Sequence, residues 1–138
     1  MIRYACDPQL DFAAALDLYV SVAWSNYTNR PQQLEQAFHQ SLFVMAAYDD
    51  EELVGLIRAV GDGVTIVFIQ DLLVYPKYQR QGIGRSLLQQ TLERFKDVYQ
   101  IQLATEQSDK NLAFYRELGF RRQEDFDCTG MIYAPDKK

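Results

Sequence analysis

The sequence predicts a mixed α/β fold, an α+β arrangement in which helices flank a mixed sheet. Three observations carry this. Residues 64–74 are apolar and β-branched enough to form a buried central strand. Gln79-Arg80-Gln81-Gly82-Ile83-Gly84 follows as a glycine-containing loop, and Leu87, Leu88, Thr91, Leu92 and Phe95 then recur at helical spacing. Farther on, Ile101, Leu103 and Thr105 alternate as a strand ahead of another helical run. The 138 residues, 48% apolar and 24% charged, suit one globular domain over residues 1–138, without linker, repeat or low-complexity tract.

The remaining elements follow in order. Ile2 to Ala5 makes a short strand. Asp7 and Pro8 read as N-cap and first residue of a helix whose inner face is Phe12, Leu16, Tyr19, Val20 and Ala23. Trp24 to Arg30 mixes polar and aromatic residues as an irregular connection, and Pro31 opens a helix with Leu34, Ala37 and Phe38 inward. Leu42 to Tyr48 and Leu53 to Val60 are strands around the turn Asp49-Asp50-Glu51-Glu52, and Gly61-Asp62-Gly63 turns into the central strand. Pro76 ends that strand, because proline cannot donate to a ladder. Ser108 or Asp109 can cap the last helix, Gly119 can end it in a left-handed conformation, and Phe120 to Ala134 fits a closing hairpin.

A strand, a glycine-bearing loop and a helix start bring free N–H groups and a positive helix end to one point, which suits a phosphate or pyrophosphate. Two familiar nucleotide loops do not fit. A Walker A loop needs glycine at position 79 and Lys-Ser/Thr after Gly84, where this chain has Gln79 and Arg85-Ser86. A dinucleotide fingerprint needs a third glycine where Leu87 stands.

The pattern Gln/Arg-x-x-Gly-x-Gly/Ala, here Gln79 to Gly84, resembles the acetyl-CoA loop of the GNAT superfamily of N-acyltransferases. A second match lies downstream in Asn111, Tyr115 and Gly119-Phe120, with Asn111 and Tyr115 one helical turn apart on a single face. The element order β-α-α-β-β-β-α-β-α-β-β extends the resemblance over essentially the whole chain. It implies a central, mainly antiparallel sheet whose two central strands splay apart, flanked by helices.

The resemblance also implies chemistry: an amine attacks the thioester of acetyl-CoA directly, through a tetrahedral intermediate. Leu72, Leu73 and Val74 would line the thioester, with the Leu73 N–H nearest the carbonyl, where an oxyanion needs a preorganised donor. The pyrophosphate would rest on Gln79, Arg80, Gln81, Gly82, Ile83 and Gly84, with Arg85 and Ser86 in the first helical turn. Many relatives have glycine where Arg80 stands, so its side chain must point outward. Asn111 would hold the pantetheine arm or a water, and Tyr115 would give the leaving thiolate a proton or a hydrogen bond. Asp71 is the candidate base, or else a buried carboxylate satisfied by backbone donors; Gln70 cannot serve. Trp24, Asn26, Tyr27, Phe126 and Tyr133 could shape the acceptor pocket, with Asp71, Glu35 and Asp127 attracting a cationic acceptor.

Charge and composition narrow the partners. With 14 Lys and Arg against 19 Asp and Glu, the net charge of -5 disfavours nucleic acid and mildly favours a cationic partner, a small-molecule or peptide amine. No stretch approaches the ~18 apolar residues of a membrane span. Met1-Ile2-Arg3-Tyr4-Ala5 has no signal-peptide core, so a cytoplasmic location is expected, as monomer or homodimer. One histidine, His39, and two distant cysteines, Cys6 and Cys128, cannot build a metal site; the histidine is expected on the surface and the cysteines as reduced packing residues. A non-catalytic acyl-CoA-binding sensor or partner module is the alternative, which retention of Asn111 and Tyr115 disfavours.

Overall fold

The computed structural model describes residues 1–6 and 9–136, which group into two compact units, one from Met1 to Ala104 and one starting at Thr105. The first unit contains, in chain order, β1 (Ile2–Cys6), α1 (Phe12–Ser21), α2 (Ser25–Thr28), α3 (Pro31–His39), β2 (Phe43–Asp49), β3 (Glu52–Gly61), β4 (Ile66–Val74), a 3-10 turn (Pro76–Tyr78), α4 (Ile83–Arg94) and β5 (Gln100–Leu103). Spatial order in the sheet equals chain order. The first three pairings are antiparallel: α1 to α3 lie between β1 and β2, and short turns join β2 to β3 and β3 to β4, while β4 and β5 are parallel because α4 carries the chain back between them.

The β2–β3 turn is short because Asp50 accepts a left-handed φ of 52°, which aspartate tolerates. Successive residues of β3 face opposite sides of the sheet. Leu56 joins Ala15, Leu18, Tyr19, Leu34, Ala46, Leu53 and Leu73 in the core beneath α1 and α3. Its neighbour Gly55 faces α4, where Ile83 sits against it. Helices therefore cover both faces; Leu87, Leu88 and Thr91 of α4 are buried there as their spacing predicts, and Ile83 is buried beside them.

Several elements differ from the sequence expectation. Asp7 and Pro8 lie outside the described residues; α1 starts at Phe12, capped by Asp11, whose side chain accepts from the Ala13 N–H at 3.0 Å. Its buried face is Ala15, Leu18 and Tyr19, while Val20 is 58% exposed and Ala23 lies beyond the helix with φ 61°. The segment is apolar on nearly every side, so periodicity alone does not choose the face. Residues 25–28 form a helical turn rather than an irregular connection. Cys6 and Cys128 are exposed rather than packed. Thr105 falls beyond β5, and Leu92 and Phe95 are half-buried.

In the second unit, α5 (Asp109–Glu117) is capped by Ser108, whose hydroxyl accepts from the Asn111 N–H at 3.1 Å. Gly119, at φ 98°, ends it in the left-handed conformation expected. The closing hairpin is not formed: Gln123–Phe126 is a 3-10 turn ended by Asp127 at φ 60°, and no described residue after it is in a strand. Gln123-Glu124-Asp125, Asp127 and Gly130 are weak strand formers, which leaves only the short apolar run Met131 to Ala134 for a second strand.

Candidate active site

The ladder between β3 and β4 slips between Arg58 and Ala59, because Asp71 faces Arg58 while Ile69 faces Ala59. Gln70 is the extra residue, a β-bulge. β5 pairs with Ile66 to Ile69 only, so from the bulge onward β4 has an edge that β5 does not cover. This is the splay expected of the two strands.

The direction of the backbone groups along that edge corrects one assignment. The Tyr75 N–H donates to the Val54 carbonyl at 2.9 Å, and Val74 lies opposite Gly55. In an antiparallel ladder the bonded residues alternate, so Leu73 and Asp71 also turn their N–H and C=O toward β3. The Leu73 oxygen lies 3.2 Å from where a Cβ on Gly55 would stand, as that geometry requires. Leu72 and Val74, not Leu73, therefore present N–H groups at the uncovered edge. The Val74 carbonyl points the same way and accepts from the Gln79 side-chain amide at 3.1 Å.

Beyond Pro76 the chain makes the predicted loop. Arg80 has φ 66° and Gly82 φ 82°, so two left-handed residues fold the segment back on itself before α4. The Arg80 side chain is exposed, as expected of a residue at a position where glycine is common. Gly82 is the N-cap of α4, and a Cβ on it would meet nothing within 4 Å. Gly84, in the first turn, would bring a Cβ only to ordinary contact with Val74 at 3.8 Å. The loop thus leaves open space where a helix start offers N–H groups and positive potential, a fit for a phosphate. Ile83 anchors it from below, 3.3 Å from a Cβ built on Gly55, so glycine at 55 allows α4 to approach β3 closely. Gln81 is exposed, and Ser86 begins the helical ladder by donating its N–H to the Gly82 carbonyl at 3.0 Å.

Under the bulge lies a buried polar cluster. Asp71 Oδ2 accepts from Arg58 Nε and from the Tyr19 hydroxyl, both at 2.7 Å, and Oδ1 accepts from the Tyr27 hydroxyl at 2.9 Å. The Gln70 amide nitrogen donates to the Tyr27 oxygen at 3.1 Å. Asp71 and Arg58 side chains are 1% and 5% exposed. Burial, reinforced by Asp71, pushes the Tyr19 phenol far above its usual range. Burial also raises Tyr27, against the opposing Gln70 hydrogen bond. For Arg58, burial lowers the pKa but the Asp71 charge outweighs it and the net shift is upward. Asp71 is thus buried and satisfied, but by side chains rather than the backbone donors anticipated. Its engagement with three donors weighs against service as a base. Trp24 and Tyr27 pack on Tyr19 with ring centroids at 5.8 and 5.3 Å.

Arg58 and Tyr19 were not singled out from sequence. Arg58 carried a signal: an arginine inside the otherwise apolar run Leu53 to Val60 needs a buried counter-charge.

The second unit holds the other motif. The Asn111 side-chain amide donates to Thr105 Oγ1 at 3.1 Å and the Glu106 carbonyl at 3.4 Å, bracing the start of α5. The Tyr115 ring packs edge-on to Phe114 and Phe120, and burial raises its pKa. Phe126 and Tyr133 are 62% and 91% exposed, and Asp127, Glu35, Asn26 and His39 are also exposed. Among the described residues no three His, Cys, Asp or Glu side chains are placed to hold a metal ion, and no helix is long and apolar enough to cross a membrane.

Comparison with known proteins agrees with this geometry. A family profile described as an acetyltransferase (GNAT) domain matches residues 14–131. A solved GNAT-family acetyltransferase of Streptococcus pneumoniae TIGR4 is 47% identical, with TM-score 0.90, over 99% of this chain and 100% of that one. An uncharacterized N-acetyltransferase of Gracilaria tenuistipitata var. liui is 30% identical over 83% of this chain and 64% of its own length. An N-acetyltransferase of Thermoplasma acidophilum, solved in complex with coenzyme A, shares the fold at 17% identity and TM-score 0.69 over 88% of this chain and 91% of that one. The chain spans 38 to 64% of the length of three curated relatives it matches. The profile over most of the chain, together with the near-complete pneumococcal match, shows that the chain belongs to the GNAT acetyltransferase family.

Proposed function

We propose that this chain transfers an acetyl group from acetyl-CoA to a primary amine of a small molecule or peptide, by direct attack of the amine on the thioester. The observation that carries the reading is the continuity of the uncovered half of β4 with the glycine-bearing start of α4. A pyrophosphate resting on Gln79 to Ser86 would send the pantetheine arm back along β4. The arm would then meet Val74 first and Leu72 after it, which assigns the oxyanion to the Leu72 N–H. The Gln79 side chain, now on the Val74 carbonyl, would yield that acceptor to the arm.

Asp71 would hold Tyr19 and Tyr27 in place rather than take the proton, and water would deprotonate the incoming ammonium. The family pattern alone assigns Tyr115 to the leaving thiolate and Asn111 to the arm. A phenol whose pKa is raised by burial stays protonated, so Tyr115 would serve as a hydrogen-bond donor before any proton moves.

Gly84→Val tests the reading. A Cβ at Gly84 meets only ordinary contact, so the variant should fold, while its branched methyls would crowd the phosphate cradle. Calorimetry should show acetyl-CoA binding by the wild type and at least tenfold weaker binding by the variant. Equal affinity in a folded variant would place the cofactor elsewhere. Binding without release of thiol in the presence of any amine would favour a non-catalytic acyl-CoA-binding module.

A further inference from the structure

In a regular strand Gln70 and Asp71 would point to opposite faces, yet both side chains reach the Tyr27 hydroxyl. The bulge brings them to one side, and the hydrogen bonds there have only one consistent set of directions. Asp71 is paired with Arg58 and accepts, so the Tyr27 hydroxyl must donate to it. The Tyr27 oxygen is left with lone pairs only, so Gln70 must present its NH2 group rather than its carbonyl. Gln70 Oε1 is thereby left as an acceptor turned from Tyr27 on an exposed side chain, with no hydrogen bond to it among the described residues. It lies at the upstream end of the uncovered edge of β4, two residues before Leu72.

We propose that Gln70 Oε1 receives an N–H of the acceptor amine, making Gln70 a specificity-determining residue whose orientation Arg58, Asp71 and Tyr27 set in series. This rests on the acetyl-transfer reading and gives it a stated acceptor contact. A neutral carbonyl oxygen accepts from both the ammonium and the free amine, so the contact persists through deprotonation. It selects N–H donors over alcohol and thiol acceptors of similar size, which offer fewer protons.

The test is steady-state transfer to a panel of primary amines (a diamine, a lysine peptide and an aromatic amine) by wild type, Gln70→Leu, Tyr27→Phe and the double variant. Acetyl-CoA affinity is measured beside it by calorimetry, and folding by thermal melting. Gln70→Leu should raise the acceptor KM about tenfold or more with little change in kcat and none in acetyl-CoA affinity. Tyr27→Phe should raise the acceptor KM less, and the double variant should match Gln70→Leu alone because Tyr27 acts through Gln70. An unchanged acceptor KM in folded Gln70→Leu, or additive effects in the double variant, would overturn the proposal. Failure of the wild type to bind acetyl-CoA at all would instead overturn the transfer reading, and calorimetry reports that separately.

Discussion

Tyr78 donates its hydroxyl to Asp49 across 2.6 Å, tying the turn that follows β4 to the end of β2. Glu52 lies within 3.4 Å of the same hydroxyl, and Lys77 reaches Glu52 at 3.7 Å. The turn that launches the Gln79–Gly84 loop is therefore held from outside the loop, by the β2–β3 hairpin.

Tyr78→Phe should weaken acetyl-CoA binding several-fold without lowering kcat at saturation, because the loop loses an anchor but no contact group. The hydrogen bond to Asp49 pushes the Tyr78 phenol up to about 12. A raised folded-state pKa means that its contribution to stability is complete below about pH 10 and is lost as pH rises toward 12. The stability difference between wild type and Tyr78→Phe, followed by urea unfolding, should shrink across that window. A difference independent of pH from 8 to 12 would detach Tyr78 from Asp49.

Asp71→Asn should destabilise the fold by about 3–5 kcal/mol, because it leaves the Arg58 guanidinium buried beside a neutral amide. Tyr19→Phe removes one donor from a carboxylate that keeps two, so its cost should stay near 1–2 kcal/mol. Urea unfolding of both variants checks the order. A loss below about 1 kcal/mol for Asp71→Asn would mean that water reaches the pair. If Asp71 were the base instead, the folded variant would lose turnover and the pH dependence of its rate would flatten.

Gly82→Ala and Gly84→Ala should behave differently although the residues are neighbours in one motif. At Gly82 space is open and the penalty comes from φ 82° alone, about 1–2 kcal/mol. Gly84 has helical backbone and ordinary contact, so alanine there should be neutral or stabilising by up to about 1 kcal/mol. Thermal melting should rank Gly84→Ala at or above wild type and Gly82→Ala below it. The reverse order would mean that packing against Val74, not backbone conformation, decides the site.

The conformation of the Gln79–Gly84 loop was legible because it is set through the backbone: glycine position, strand end and helix start are all local in sequence. The Asp71 cluster was only half legible. Asp71 and Tyr27 stood out as polar groups in apolar or aromatic surroundings, but Tyr19 and Arg58 reach Asp71 across 52 and 13 residues, a pairing no local pattern encodes. The splay of the central strands follows from the family resemblance, but the bulge at Gln70 that begins it does not show in the sequence, because nothing in the run Ile69-Gln70-Asp71 marks an extra residue. The direction of the Leu73 N–H was missed for the same reason, since it depends on register. The closing hairpin read over Phe120 to Ala134 is not formed, because its short apolar end, Met131 to Ala134, would need a long-range partner to become a strand.

Tyr115→Phe should lower kcat roughly ten- to a thousandfold while leaving acetyl-CoA affinity nearly unchanged. The hydroxyl is asked to act only as the thiolate forms, so its loss belongs to the transition state rather than to binding. Burial raises the Tyr115 pKa above its ordinary value of 10.0, so the group stays protonated over the whole range in which an amine loses its proton. The wild-type rate should therefore climb with pH as the free amine accumulates, with no descending limb before about pH 10. Tyr115→Phe should keep that climb and simply lie below it at every pH, since the amine still titrates and only the donor is gone. Stopped-flow thiol release at saturating acetyl-CoA measures both curves. An unchanged rate would make Tyr115 a packing residue among Phe114 and Phe120, and a wild-type decline well below pH 10 would mean that some other group supplies the proton.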